Sequence, residues 1–295
     1  MLKRMIKRIG AVGTLLMLLY IGYLLYRENI DLTIVPWQVI LLLVVLQAMV
    51  MSTFALQLKY NLAFFSGRQI ILSQVYGVFA KSNIAKYIPG NIFQYVSRGV
   101  FAKQIGIDAK KSTVSTVFEI GMLAGTALLI AFVFSFGLVL QYLGHWLFIL
   151  VGAGVLVALV LIRLYGMGLL GLGLRMLPIM LLMHVANGLM FLYILHYTSG
   201  LDMDFAHVSA YVFAWLVGFI TPGSPGGVGV KEATLIVLIS VEGIVLASVM
   251  YRVVTILADV LCFVLSLLID KRGSRPWKNQ RTTKNTQKKQ VSERS

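Results

Sequence analysis

Six stretches of the chain, 9–26, 36–58, 113–138, 145–164, 176–198 and 244–269, run for 18 to 26 residues each and are predominantly apolar. A helix of that length matches the ~30 Å hydrocarbon core of a bilayer. Only 13% of the 295 residues are charged and 59% are hydrophobic, whereas a soluble domain carries about 25% charged residues. The sequence therefore predicts an all-α polytopic membrane protein. The amino terminus, MLKRMIKR, resembles a signal-peptide n-region. The apolar run behind it is long and lacks a small-residue cleavage pattern, so the expectation is a retained first span.

Two further apolar segments cannot be continuous helices. Residues 69–103 break at Tyr87-Ile88-Pro89-Gly90-Asn91, and residues 205–242 break across Thr221 to Gly229, where two prolines and four glycines fall. Each reads as helix, Pro/Gly turn and second helix, with arms short for full spans. The order span, span, broken segment, span then occurs twice, and Pro89 and Pro222 lie 133 residues apart. If each broken segment enters and leaves by one side, each half makes three crossings, and the second half is inverted relative to the first. The expected fold is an inverted-topology repeat, each half three transmembrane helices plus one Pro/Gly-broken re-entrant hairpin. Residues 1–140 form the first repeat, 141–270 the second and 271–295 a basic, disordered cytoplasmic tail. With eight full crossings instead, the termini stay on the same side.

The net charge of +15 follows topology rather than a nucleic-acid face. Nine of the 26 Lys and Arg lie in the last 25 residues, and most others fall in short loops. A cytoplasmic amino terminus puts Lys59, Arg68, Lys103, Lys110, Lys111, Arg175 and the tail inside. Glu28, Asp31, Asp202 and Asp204 then fall outside, with Arg27 the one cation among them. The expected location is the cell membrane, with both termini cytoplasmic.

Four charges sit far from any interface, where each costs at least about 2.5–3.5 kcal/mol at mid-span. Arg98 and Glu119 follow Pro89 by nine and 30 residues, and Glu232 and Arg252 follow Pro222 by ten and 30. The halves thus share one geometry with the signs exchanged. Asn91, Gln94 and Arg98 share a helical face. Ser112, Ser115, Thr116 and Glu119 form one polar stripe, and Ser248, Arg252, Thr255 and Asp259 form another. These charges read either as structural pairs, Arg98–Glu119 and Glu232–Arg252, or as the lining of a cavity. Backbone freed by Pro and Gly is tolerated at membrane depth only inside protein or beside water. Half-helices starting at Asn91 or Val228 point positive ends toward mid-membrane and favour an anion, phosphate above all. Lys86 and Lys231 add charge beside them.

At these residues the chain resembles the lysylphosphatidylglycerol synthase transmembrane-region family, often labelled flippase-like. The resembling stretches are KYIPGNIFQYVSRGVFAKQIGI (86–107) and TPGSPGGVGVKEATLIVLI (221–239), with Glu119 and Arg252 in the spans that follow. The resemblance covers nearly all the chain to about residue 270. It implies eight membrane helices or their equivalent, an inverted repeat and lipid translocation. The matching positions are Pro89, Gly90, Gln94, Arg98 and Glu119, then Pro225, Gly226, Gly227, Gly229, Lys231, Glu232 and Arg252. The family often has Arg where this chain has Lys231, which keeps the charge but loses the bidentate fork. Fused members carry a soluble aminoacyltransferase, and the 25 polar residues after Asp270 hold no such domain, so the synthase activity is not expected here.

Other chemistry has weaker support. Cys262 is the single cysteine, and no H-x-x-x-H, H-E-x-x-H or Walker A pattern occurs, so no metal, cofactor or ATP drive is expected. His184 and Asn187 share a face of the fifth span, where a buried, hydrogen-bonded histidine is the default. The leading expectation is a transporter moving an anionic phospholipid or polyprenyl-phosphate-linked lipid, with Lys86, Arg98, Lys231 and Arg252 holding the head group. The membrane lipid is then substrate, envelope lipid-modifying enzymes are possible associates and nucleic acid is not. The alternatives are an accessory subunit of envelope lipid or polysaccharide assembly, or a membrane-embedded lipid transferase with Glu119 or Glu232 as base.

Overall fold

A computed structural model describes residues 34–87, 93–134, 144, 152, 156, 159–160, 162–221, 227 and 229–273. All regular structure among them is helical. Helix α1 (Trp37–Ser66) is followed by α2 (Leu72–Asn83), which runs into a short 3-10 helix (Ile84–Tyr87). Helices α3 (Phe93–Gln104) and α4 (Ala109–Phe134) complete the first half. The second half holds α5 (Gly168–Ser199), α6 (Phe205–Ile220), α7 (Val230–Ile239) and α8 (Ile244–Gly273).

Local chemistry sets several of these ends. Both α1 and α5 stop at a glycine in the left-handed region, Gly67 (φ 67°) and Gly200 (φ 72°). Their N–H groups bond the carbonyls of Ala63 and His196, a common helix stop because only glycine lacks the Cβ penalty there. Helix α6 starts at Asp204, whose carboxylate accepts from the Ala206 N–H.

Four helices are long and apolar enough to cross a membrane: Trp37–Ser66, Ala109–Val133, Gly168–Ser199 and Ile244–Ile269. They match the expected spans 36–58, 113–138, 176–198 and 244–269. The expected span 9–26 lies outside the described residues, and 145–164 lies mostly outside them. Helix α1 continues past Lys59 to Ser66, and α5 begins eight residues before the expected start. Glycines 168, 171 and 173 dilute the apolar signal there, yet the backbone at Gly173 sits against Met122 and Phe118 of α4. Close helix approach at small residues is how membrane helices pack.

Described helices flank both expected interruptions, whose residues 88–92, 222–226 and 228 lie outside the described residues. The arms α2, α3, α6 and α7 hold 12, 12, 16 and 10 residues. At 1.5 Å per residue they reach about 15 to 24 Å, short of a ~30 Å core. The halves also pack reciprocally. First arm α2 lies on α8, and first arm α6 lies on α4; likewise α1 lies on α8, and α5 lies on α4. The largest apolar cluster joins α1, α5, α6 and α8 through residues such as Leu43, Phe191, Leu195 and Ala258. A second lies between α1 and α2, around Leu58, Leu62 and Phe79. Between them the packing leaves room at the centre.

One turn that holds this packing is testable. Gly243 (φ 87°) leads into α8, and a Cβ there would sit 2.8 Å from the Thr198 carbonyl oxygen at the end of α5. Gly243→Ala is expected to lower stability by about 2 kcal/mol or more, from the left-handed backbone and the backbone clash together. Gly121→Ala on α4, which meets nothing within 4 Å, serves as the neutral control in thermal unfolding of purified protein.

Candidate functional site: a charged cavity between the two broken segments

The central space is a cavity of about 230 Å³, lined from both halves. Of the residues expected at the site, Lys86, Gln94, Arg98, Glu119, Gly227, Lys231 and Arg252 all line it. Pro89, Gly90, Asn91, Pro225 and Gly226 lie outside the described residues. Glu232 stands behind Arg252 rather than on the wall, and Gly229 is exposed at the start of α7.

Both mirrored pairs form, each within its own half. Arg98 Nη1 donates to Glu119 Oε1 at 2.6 Å, joining α3 to α4. Arg252 donates to Glu232 Oε1 through Nη2 at 2.5 Å and Nε at 3.1 Å, joining α8 to α7. The structural and cavity readings of these charges therefore hold together. The first pair is the more deeply buried, with side chains 6% and 2% exposed against 15% and 17% for the second.

A third ion pair crosses between halves. Asp259 on α8 accepts from Lys86 Nζ at 2.5 Å, from Asn83 Nδ2 at 2.5 Å and from the Tyr87 hydroxyl. Asn83, Lys86 and Tyr87 occupy the junction of α2 and the 3-10 helix, so this carboxylate binds the end of the first arm to the last long helix. Asp259 has a legible signal, an acidic residue in an apolar span at the end of the stripe Ser248–Arg252–Thr255. Its partner is set by tertiary packing alone.

Lys231 is held differently. It is 9% exposed, and its Nζ donates to the Tyr211 hydroxyl at 3.1 Å. The ammonium lies 4.1 Å from the Tyr211 ring centre, 5.3 Å from Tyr251 and 5.5 Å from Phe191. Ring faces within about 6 Å attract a cation by roughly 0.5–2 kcal/mol each, more when water is excluded. Lys231 forms no ion pair with a carboxylate among the described residues. The four cations on the wall thus face three carboxylates, Asp259, Glu119 and Glu232, which leaves one surplus positive charge.

At the amino-terminal end of α7 one backbone donor is already taken. The Gly229 N–H donates to Glu232 Oε2 at 2.7 Å, because a carboxylate three residues into a helix reaches back over its first turn. Glycine is needed at this break for space as well as for conformation. A Cβ on Gly218 of α6 would lie 3.2 Å from the Gly227 Cα, and Gly227 itself has φ 75°.

The remaining wall is polar at one end and aromatic at one side. Gln47 Nε2 donates to Asn187 Oδ1 at 3.1 Å, and the Tyr251 hydroxyl donates to the same Asn187 oxygen at 2.7 Å. Tyr95, Phe219, Trp215 and His184 form consecutive ring contacts with centroids 6.4, 4.9 and 4.9 Å apart. His184 Nε2 lies 3.2 Å from the Leu123 carbonyl oxygen, the buried hydrogen-bonded role expected by default. Gln47 and Asn187 are visible in the sequence as polar residues in apolar spans. Tyr211, Tyr251 and Phe191 are not, because a cage aromatic and a core aromatic look alike without coordinates. No family model, curated protein or solved structure matches this chain.

The pair geometry predicts a stability signature. Glu119→Ala leaves Arg98 charged in an apolar interior and is expected to cost about 3–5 kcal/mol, whereas Arg98→Leu/Glu119→Leu recovers most of that loss. Unfolding of the purified single and double variants measures both, and an equal loss in each would contradict the pairing.

Proposed function

We propose that the chain is a flippase-like transporter that moves an anionic phospholipid or a polyprenyl-phosphate-linked lipid between membrane leaflets. It sits in the cell membrane as two inverted repeats with re-entrant broken segments and cytoplasmic termini. The observation that carries this reading is the surplus positive charge of the buried cavity. Lys86, Arg98, Lys231 and Arg252 face Asp259, Glu119 and Glu232, so the wall is one charge short of neutral. A phosphodiester head group carries one negative charge and supplies the balance. Lys231 is the cation free to take it, since it leaves ring faces and a hydroxyl rather than a carboxylate.

Size supports the same ligand class. About 230 Å³ accepts a head group but not the acyl or prenyl chains, which then lie between helices in the hydrocarbon. The reciprocal packing of α2 on α8 and α6 on α4 supports an internal repeat around this site, and cavities at repeat interfaces are where secondary transporters bind substrate. The motif around Pro225–Glu232 supports the flippase-like assignment by resemblance.

Reconstituted protein with fluorescent phosphatidylglycerol tests the reading. Lys231→Met is expected to slow lipid movement about tenfold, the effect of ~1.4 kcal/mol on a barrier, while Lys231→Arg retains most of it. Movement at the wild-type rate in folded Lys231→Met, or none in the wild type, counts against a transporter of this kind.

A further inference from the structure

The two mirrored ion pairs are not equivalent. Both oxygens of Glu232 are bonded, Oε1 to Arg252 and Oε2 to the Gly229 N–H. Glu119 uses only Oε1, and its Oε2 is buried with no partner in the protein. Leaving a buried charged oxygen unpaired costs more than the ~1–3 kcal/mol of a neutral one, so this atom calls for a hydrogen-bonding partner.

Below Glu119 the same condition continues away from the cavity. Gln57 is fully buried with both side-chain polar atoms unpartnered, and the Asn61 Oδ1, Ser112 Oγ and Ser115 Oγ are likewise buried without partners. Two contacts fix how α1 and α4 face each other. Asn61 Nδ2 donates to the Ser115 carbonyl at 2.7 Å, and Lys111 Nζ donates to the Ser66 carbonyl at 3.2 Å. The helices are therefore antiparallel, and one turn further on Gln57 comes level with Glu119. On α1 the face that lines the cavity at Gln47, Met51 and Phe54 continues to Gln57 and Asn61. On α4 the cavity residue Glu119 is followed by Ser115 and Ser112. The unpartnered atoms thus form one file, which ends beside exposed Lys111, with exposed Arg68 one residue past Gly67.

The file mixes donors with acceptors. A bare cation would satisfy only the oxygens, and an anion only the donors. Water satisfies both, with two to four bonds per molecule. We infer that this file is a hydrated proton route between Glu119 and the basic membrane face at Lys111 and Arg68, and that one proton accompanies each anionic head group. The inference rests on the transporter reading for its cargo, but not for the route itself. A proton from bulk water at that face passes along the file to Glu119 Oε2 and converts the carboxylate to the neutral acid. Arg98 then loses its counter-charge and joins Lys231 in holding the phosphate. When the cargo leaves, Glu119 ionises, the proton leaves with the cargo on the far side, and the Arg98 pair re-forms.

Arg98 holds Glu119 from α3. The other titratable groups that line the same cavity are Tyr95 from α3, His184 from α5, Tyr211 from α6, Lys231 from α7, Tyr251 and Arg252 from α8, and Lys86 and Tyr87 from the 3-10 helix. From α1 the neighbours in the file are the neutral Gln57 and Asn61. Among the described residues, Glu119 is the one carboxylate on the cavity wall.

Infrared spectroscopy of purified protein reads the route without any cargo. A carboxylic-acid band that is lost in Glu119→Gln is expected in the wild type, and it is expected to shift within the mixing time on transfer to deuterium oxide. In Gln57→Leu and in Ser112→Val that shift is expected to slow about tenfold. Both changes replace unpartnered polar atoms by apolar ones, so the fold is preserved. Absence of a band that depends on Glu119, or equal exchange rates in wild type and both variants, overturns the route. Dihexanoyl-phosphatidylglycerol added in weak buffer tests the coupling separately. Uptake of one proton per bound lipid, lost in Glu119→Gln, supports it, and binding without uptake overturns it. If the lipid does not bind at all, the transporter reading fails, and the coupling with it, while the exchange result still decides the route.

Discussion

Charge buried among packed helices organises this molecule. An unpaired ion in the interior costs several kcal/mol, so every charged side chain placed there must find its partner as the helices assemble. Three carboxylates supply these partners beside the breaks. Glu119 ties α3 to α4, Glu232 ties α7 to α8, and Asp259 ties the end of α2 to α8. Each broken segment is thereby anchored to a long helix beside its break, and the cavity is what those anchors enclose. The aromatic rings around Lys231 solve the same problem by another route, giving a cation a stable site without a counter-ion.

The two halves use one plan with different endings. In the second half the carboxylate is spent on both the neighbouring arginine and the backbone of the break, which stiffens the start of α7. In the first half the corresponding carboxylate keeps one oxygen unused and stands at the head of a buried polar file. Lys231 and Glu119 line the same cavity from opposite halves.

Much of this was legible in the sequence because hydrocarbon is an unforgiving solvent. Apolar runs located the four long helices, and Pro/Gly clusters located both breaks. The matched offsets of Arg98, Glu119, Glu232 and Arg252 singled out charges that do line or back one cavity. Helix limits were less legible: glycines before Met176 lowered the apolar density of α5 without ending it, since Gly173 packs against α4 and Gly168 against Phe64 of α1. Partnerships that cross between halves were not legible at all. Lys86 and Asp259 lie 173 positions apart, and nothing local distinguishes a salt bridge over that distance from two separate ends. At the start of α7 the sequence also held a competing signal, because Glu232 stands where a capping carboxylate reaches back to the Gly229 N–H.

The central claim is that the cavity holds an anionic head group through its one surplus charge. Electron cryomicroscopy of the protein in bilayer discs of phosphatidylglycerol tests it most directly, with phosphatidylcholine discs as comparison. Phosphate density in the cavity within hydrogen-bonding reach of Lys231 and Arg252, present in the first and absent in the second, is the expected result. An empty cavity in the anionic bilayer, or the same density in both, would contradict it.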